Sequence, residues 1–315
     1  MDISTRIKNH FFGSSFHLPL AAIIVSIITL KGADCLVGPG ADDSFRWALN
    51  YLLANHRDQF AHICYPVGPL CLFKWPSIVG DHIIICAFLQ MLFSFTFTLL
   101  YARLYQKYRN STNLLAPILI CIVFLTIANM DYIFLGCVVC GILLWEKTQQ
   151  LYYALISIII TALLVYVKAS FFALAASVWI VYIIKLLIGK RFKIILSLLL
   201  AGCVSCMLIG VIVLGGVSQM FHYLSNNLLI AFSYSETLAL FPYNNWTALS
   251  LCLLSLITCA IMYAKAPGGV VIQLFALCLF ANWKYSIVGA NFFHLLFFSY
   301  LLVLIIVLFF AVQDN

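Results

Sequence analysis

Apolar runs separated by short polar breaks set the rhythm of this chain. They fall at 16–32, 81–102, 113–129, 131–146, 150–167, 170–188, 194–216, 247–264, 269–283 and 292–311. A helix crossing hydrocarbon needs about 20 mostly apolar residues, so the pattern predicts about ten spanning helices. Two stretches break the rhythm, 33–80 and 217–246. In the first, Pro39-Gly40 interrupts the chain, and Asp42, Asp43 or Ser44 stands where a helix cap belongs. Phe45, Ala48, Leu49, Leu52 and Leu53 then recur at helical spacing, which predicts an amphipathic helix on the membrane surface. Tyr65-Pro66-Val67-Gly68-Pro69 follows as a rigid turn, and Leu70, Leu72 and Phe73 aim it back toward the bilayer. The stretch 217–246 reads as a second amphipathic helix with polar interruptions.

Composition turns this pattern into a class. The chain is 65% hydrophobic and 9% charged, with a mean hydropathy of +1.10. Those values exclude an ordinary soluble domain and predict an all-α, polytopic transmembrane bundle, one integral-membrane domain over 1–315. Pro19 to Lys31 is apolar, but Asp34 and Cys35 follow it rather than a small-residue cleavage site, so it reads as a retained first helix.

The formal charge of +7 comes from basic residues at loop ends, with no basic arm, so nucleic acid is not an expected partner. Placing both termini in the cytoplasm puts eleven Lys and Arg on the inner side and six on the outer side. The two long loops then face outward, as in an enzyme working on the extracytoplasmic side. Most of the twelve cysteines lie in apolar runs and act as small hydrophobes, the Cys137–Cys140 pair included. Cys35, Cys64 and Cys71 share the first loop, where one disulfide is compatible and not required.

Candidate chemistry collects at the outer side. Asp42 and Asp43 have two readings: helix capping, or a carboxylate that accepts the proton of an attacking hydroxyl or helps hold a divalent cation. Lys168 and Lys284 stand at outer helix ends, either snorkelling to the interface or gripping a phosphate. Arg46, one turn from Asp42, either pairs with it or joins that grip. Glu236 lies among the hydroxyls of Ser233, Tyr234, Ser235 and Thr237, as a solvated loop residue or a contact to a polyhydroxylated substrate or metal. His294 either lines a cavity or is a satisfied interfacial histidine. Asp131 reads as a cap for the helix after a tight hairpin. His56, His62, His82, His222 and His294 all fall near the outer side, but none has the HExxH spacing of a zinc site.

The run Asp42-Asp43-Ser44-Phe45-Arg46-Trp47-Ala48-Leu49-Asn50-Tyr51, followed by Tyr65-Pro66-Val67-Gly68-Pro69-Leu70, resembles a group of poorly characterised bacterial multi-pass membrane proteins. Their first outer loop carries D-x-S-W-x-x-A-L-N-Y and then Y-T-Y-G-P-L-G. The resemblance extends to Lys168-Ala169-Ser170-Phe171, to Ser233-Tyr234-Ser235-Glu236, and to Trp283-Lys284-Tyr285-Ser286-Ile287-Val288 with His294. This chain departs from the pattern at Val67, Cys71 and Ser233, and longer relatives suggest a short form. The group is similar in plan to the GT-C superfamily of polyprenyl-phosphate-dependent glycosyltransferases.

That resemblance implies Asp42 as catalytic carboxylate with Asp43 as its alternate. The expected substrate contacts are Arg46, Lys168, Glu236, Lys284, His294 and Tyr65, and the resemblance implies a lipid-linked sugar donor amid membrane lipids. No cofactor is required, and a divalent cation is compatible. The competing classes are a lipid or polysaccharide transporter or flippase and a non-catalytic partner in envelope polysaccharide assembly. A transporter predicts paired ionisable residues deep in helices and often an inverted repeat; no repeat is visible.

Overall fold

The computed structural model describes residues 14–32, 41–60, 62, 68–73, 79–237, 250, 257 and 292–312. They form helices α1 (Ser14–Ile28), α2 (Ala41–Asn55), α3 (Arg57–Phe60), α4 (His82–Arg109), α5 (Leu115–Ile127), α6 (Met130–Thr148), α7 (Leu151–Val167), α8 (Ala169–Ile188), α9 (Phe192–Leu214), α10 (Val217–Thr237) and α11 (Phe292–Val312). A 3₁₀ turn covers Pro69–Phe73. No sheet occurs among the described residues. Eight predicted spans coincide with helices α1, α4 to α9 and α11, whereas 247–264 and 269–283 lie outside the described residues apart from single positions.

Local chemistry sets the helix ends. Asn113 Oδ1 accepts the Leu115 N–H at 2.9 Å and opens α5. Gly215, at φ 83°, ends α9 in the left-handed conformation that costs glycine least. The predicted end of α4 at residue 102 falls short, because the helix continues to Arg109. Its basic residues belong to the helix: Arg109 donates to the Phe310 carbonyl of α11, and Arg103 to the Tyr153 hydroxyl at 3.4 Å.

The bundle is built around α6, in which Met130 through Trp145 are all buried. Helices α4, α7, α8 and α11 pack on it. Phe93 meets Phe134 edge-on with centroids 4.5 Å apart, and Trp145 lies 5.0 Å from Tyr182. The Ser157 hydroxyl donates to the Val138 carbonyl at 2.9 Å, and the Trp179 indole to Thr161 Oγ1 at 3.1 Å, so these polar groups between the helices are paired.

The outside of the bundle is apolar. On α9, Phe192, Leu196, Leu199, Leu200, Met207, Leu208 and Ile212 are exposed along one continuous stripe. Water does not tolerate so long an apolar face, and hydrocarbon does. Helices α4, α8 and α9 are long and apolar enough to cross a membrane.

The bundle has two distinct ends. One gathers Arg103, Lys107, Arg109, Lys147, Lys185, Lys190, Arg191 and Lys193 at the ends of α4, α6, α8 and α9. Lys185 pairs there with Glu146, and Arg191 donates to Gln149 Oε1 at 2.8 Å. The opposite end carries α2, α3 and the 3₁₀ turn.

Candidate functional site

The 3₁₀ turn is the keystone of that opposite end. Leu70, Leu72 and Phe73 are buried. Phe73 packs edge-on against Phe93 and Phe134, with centroids 6.1 and 5.8 Å away. Cys86 donates to the Leu72 carbonyl, and Gln90 to that of Phe73 at 3.4 Å. The chain therefore re-enters the bundle after the surface segment, as the Pro-Val-Gly-Pro run predicts. Helix α2 lies over this turn through Leu49 and Leu53 and also buries Asn50, while Trp47 and Tyr51 stay exposed and stack at 5.3 Å.

Gly68 locks the turn to the hairpin between α7 and α8. Its N–H donates to the Val167 carbonyl at 2.9 Å. A Cβ there would lie 2.2 Å from the Tyr166 carbonyl oxygen and 2.5 Å from the Tyr223 hydroxyl, so only glycine allows this approach. Tyr223 brings in the second surface segment: its hydroxyl donates to the Val165 carbonyl at 3.1 Å and its ring stacks on Tyr166 at 5.7 Å. Both surface segments thus fasten to the last turn of α7.

Lys168 is the single residue between α7 and α8. It is 6% exposed, with Nζ 5.3 Å from the Phe171 ring centre. The snorkelling reading does not hold, because the protein itself encloses this side chain. Asp131, in the first turn of α6, is 1% exposed. Asn129, not Asp131, occupies the N-cap position, and its side chain makes no capping hydrogen bond. Tyr132, next to Asp131, meets the Phe171 ring edge-on at 5.0 Å. The two buried charges therefore flank one aromatic contact at this end of the bundle. Ionisable groups held inside a membrane bundle are costly and serve function more often than packing. Lys31, beyond the end of α1, donates to the Ala128 carbonyl.

The remaining predicted residues sort by location. Asp42 and Asp43 sit in the first turn of α2, one and two residues inside its start at Ala41, and Arg46 follows one turn on. A carboxylate at such a position lies in the favourable field of the helix N-terminus. Glu236 is in the last turn of α10 and His294 in the first turn of α11. Lys284 and Tyr65 lie outside the described residues, as do Cys35 and Cys64. Among the described residues, no group of three or more His, Cys, Asp and Glu side chains is arranged to hold a metal.

Sequence reasoning passed over the burial of Asp131. Its signal was available as a lone acid in an apolar hairpin, but a first-turn acid reads equally well as a helix-end preference. No protein-family model, curated protein or solved structure matches this chain.

Proposed function

We propose that this chain is a membrane glycosyltransferase that moves a sugar from a polyprenyl-phosphate donor to an acceptor hydroxyl. The site lies at the end opposite the basic cluster, on the extracytoplasmic face of a bacterial inner membrane, with both termini cytoplasmic. A GT-C-like plan follows from the same reading. Asp42, or Asp43 in its place, takes the acceptor proton as the hydroxyl oxygen attacks the anomeric carbon. The bond from that carbon to the phosphate oxygen breaks with inversion. Lys168, Lys284 and Arg46 stabilise the departing lipid phosphate, while Glu236, His294 and Tyr65 contact the substrates. Stabilising the charge that develops on the leaving group usually lowers the barrier of such a reaction more than any other single effect.

The observation that carries this reading is the enclosed Lys168. Its hairpin is bound to the turn that follows the acid-bearing helix α2, through the Gly68–Val167 hydrogen bond. An enclosed cation joined to a surface carboxylate segment suits a phosphate leaving group beside an acceptor.

The test is Asp42→Asn in a purified assay with a lipid-linked sugar, read as labelled product. Asn keeps the size and removes the basicity. A catalytic base predicts a rate loss on the order of 10²–10⁴ with little change in stability. Full turnover by Asp42→Asn, Asp43→Asn and the double variant would overturn the reading.

The buried Asp131 favours one competitor, a lipid or polysaccharide flippase, because transporters bury ionisable residues on their substrate path. In reconstituted vesicles a flippase moves the lipid-linked sugar intact across the bilayer, whereas a transferase consumes it on one side.

A further inference from the structure

We propose that His62 and His222 form a binding site for a divalent transition-metal ion that clips the two surface segments together. The imidazole centroids are 5.5 Å apart, with ring planes at 41°. With zinc–nitrogen bonds of about 2.0–2.1 Å in tetrahedral geometry, two imidazoles on one ion place their centroids about 5 Å apart. The observed centroid separation matches that spacing, and rotation of the two exposed rings about their side-chain bonds brings a nitrogen of each to the ion.

The two histidines are 160 residues apart in sequence (222 minus 62), so no local spacing motif reveals the pair. Both are exposed, which leaves coordination positions open to water and a path open to ions. Each is also held from a separate direction. His222 precedes Tyr223, whose hydroxyl is tied to the Val165 carbonyl. His62 ends a turn closed by its N–H to the Gln59 carbonyl at 3.1 Å, directly after α3, which packs on α9. Anchoring the two backbones in advance reduces the freedom lost on binding to that of the side chains, which favours a two-histidine site. Borderline metals of the zinc and nickel class suit neutral imidazole, while magnesium and calcium prefer oxygen. This inference is independent of the glycosyltransferase reading, since neither histidine takes part in the proposed transfer.

The experiment is calorimetric titration of the full-length, tag-free protein in detergent with zinc chloride and then nickel chloride. Native protein and His56→Gln should bind about one equivalent. His62→Gln and His222→Gln should each weaken that binding at least tenfold. A second measurement guards against misfolding: without metal all four proteins should melt together, and added zinc should raise the melting temperature of only the native protein and His56→Gln. Absence of saturable binding to the native protein overturns the proposal. Binding that survives in both His62→Gln and His222→Gln overturns it as well.

Discussion

Replacing Gly68 by Ala adds one carbon where the turn meets the α7–α8 hairpin. That carbon would lie 2.2 Å from the Tyr166 carbonyl oxygen, 2.5 Å from the carbonyl carbon and 2.5 Å from the Tyr223 hydroxyl. The hydroxyl can swing, at the expense of its bond to the Val165 carbonyl. The Tyr166 backbone cannot swing, because it belongs to the last turn of α7. The turn itself must therefore retreat and stretch the 2.9 Å bond from Gly68 to Val167. Overpacking of this kind costs about 1–3 kcal/mol, and a lost hydrogen bond about 0.5–1.5 kcal/mol. Together these come to about 1.5–4.5 kcal/mol, concentrated where α2 rests. Detergent-solubilised protein followed by thermal unfolding measures it. Gly32→Ala is the control, since nothing lies within 4 Å of a Cβ there. Gly68→Ala should melt well below Gly32→Ala, and under the proposed function it should also lose turnover. Stability matching the control within about 0.5 kcal/mol would refute the argument, because that is the ordinary range of an unconstrained surface substitution.

Two further outcomes are expected. Lys168→Met should keep the hairpin folded and weaken donor binding roughly tenfold to a hundredfold, the worth of one charge-assisted hydrogen bond of about 1.5–3 kcal/mol; equilibrium binding of a lipid-linked donor checks it, and unchanged affinity removes Lys168 from the site. Thiols introduced near Asn55 and Asn226 should react with an impermeant reagent added outside intact cells, and those near Lys107 and Arg191 should not; the reverse pattern overturns the orientation.

The helical class and the positions of most spans were legible because each rests on a local signal, a long apolar run bounded by charge. Boundaries failed where charge misleads. Arg103, Lys107 and Arg109 look like a loop, yet they belong to the end of α4, where Arg103 and Arg109 reach neighbouring helices. The re-entrant turn was legible from its prolines and the apolar residues after them. What no window of sequence carries is contact between distant segments. Gly68 against Tyr223, His62 beside His222 and the two charges around the Tyr132–Phe171 contact all depend on how the segments fold over one another. Lys168 shows the limit plainly: its position at a helix end was readable, but a snorkelling lysine and an enclosed one have the same neighbours in sequence.

The unbroken burial of α6 from Met130 to Trp145 bears on biogenesis. A growing chain releases α5 and α6 into lipid before α7, α8 and α11 exist to surround them. In that interval the faces of α6 that α7, α8 and α11 later cover touch acyl chains, and afterwards none does. Exchange of lipid for protein brings no hydrophobic gain, so van der Waals packing must drive α6 from the periphery to the centre. Gly136 and Gly141 are the notches that permit it, because a Cβ at either would lie 2.6 Å from Phe97 and 2.8 Å from the Tyr153 carbonyl oxygen, respectively. Larger residues there would leave insertion into the membrane unchanged and stall the later assembly, so the defect would surface as a fully inserted chain that quality-control proteases remove.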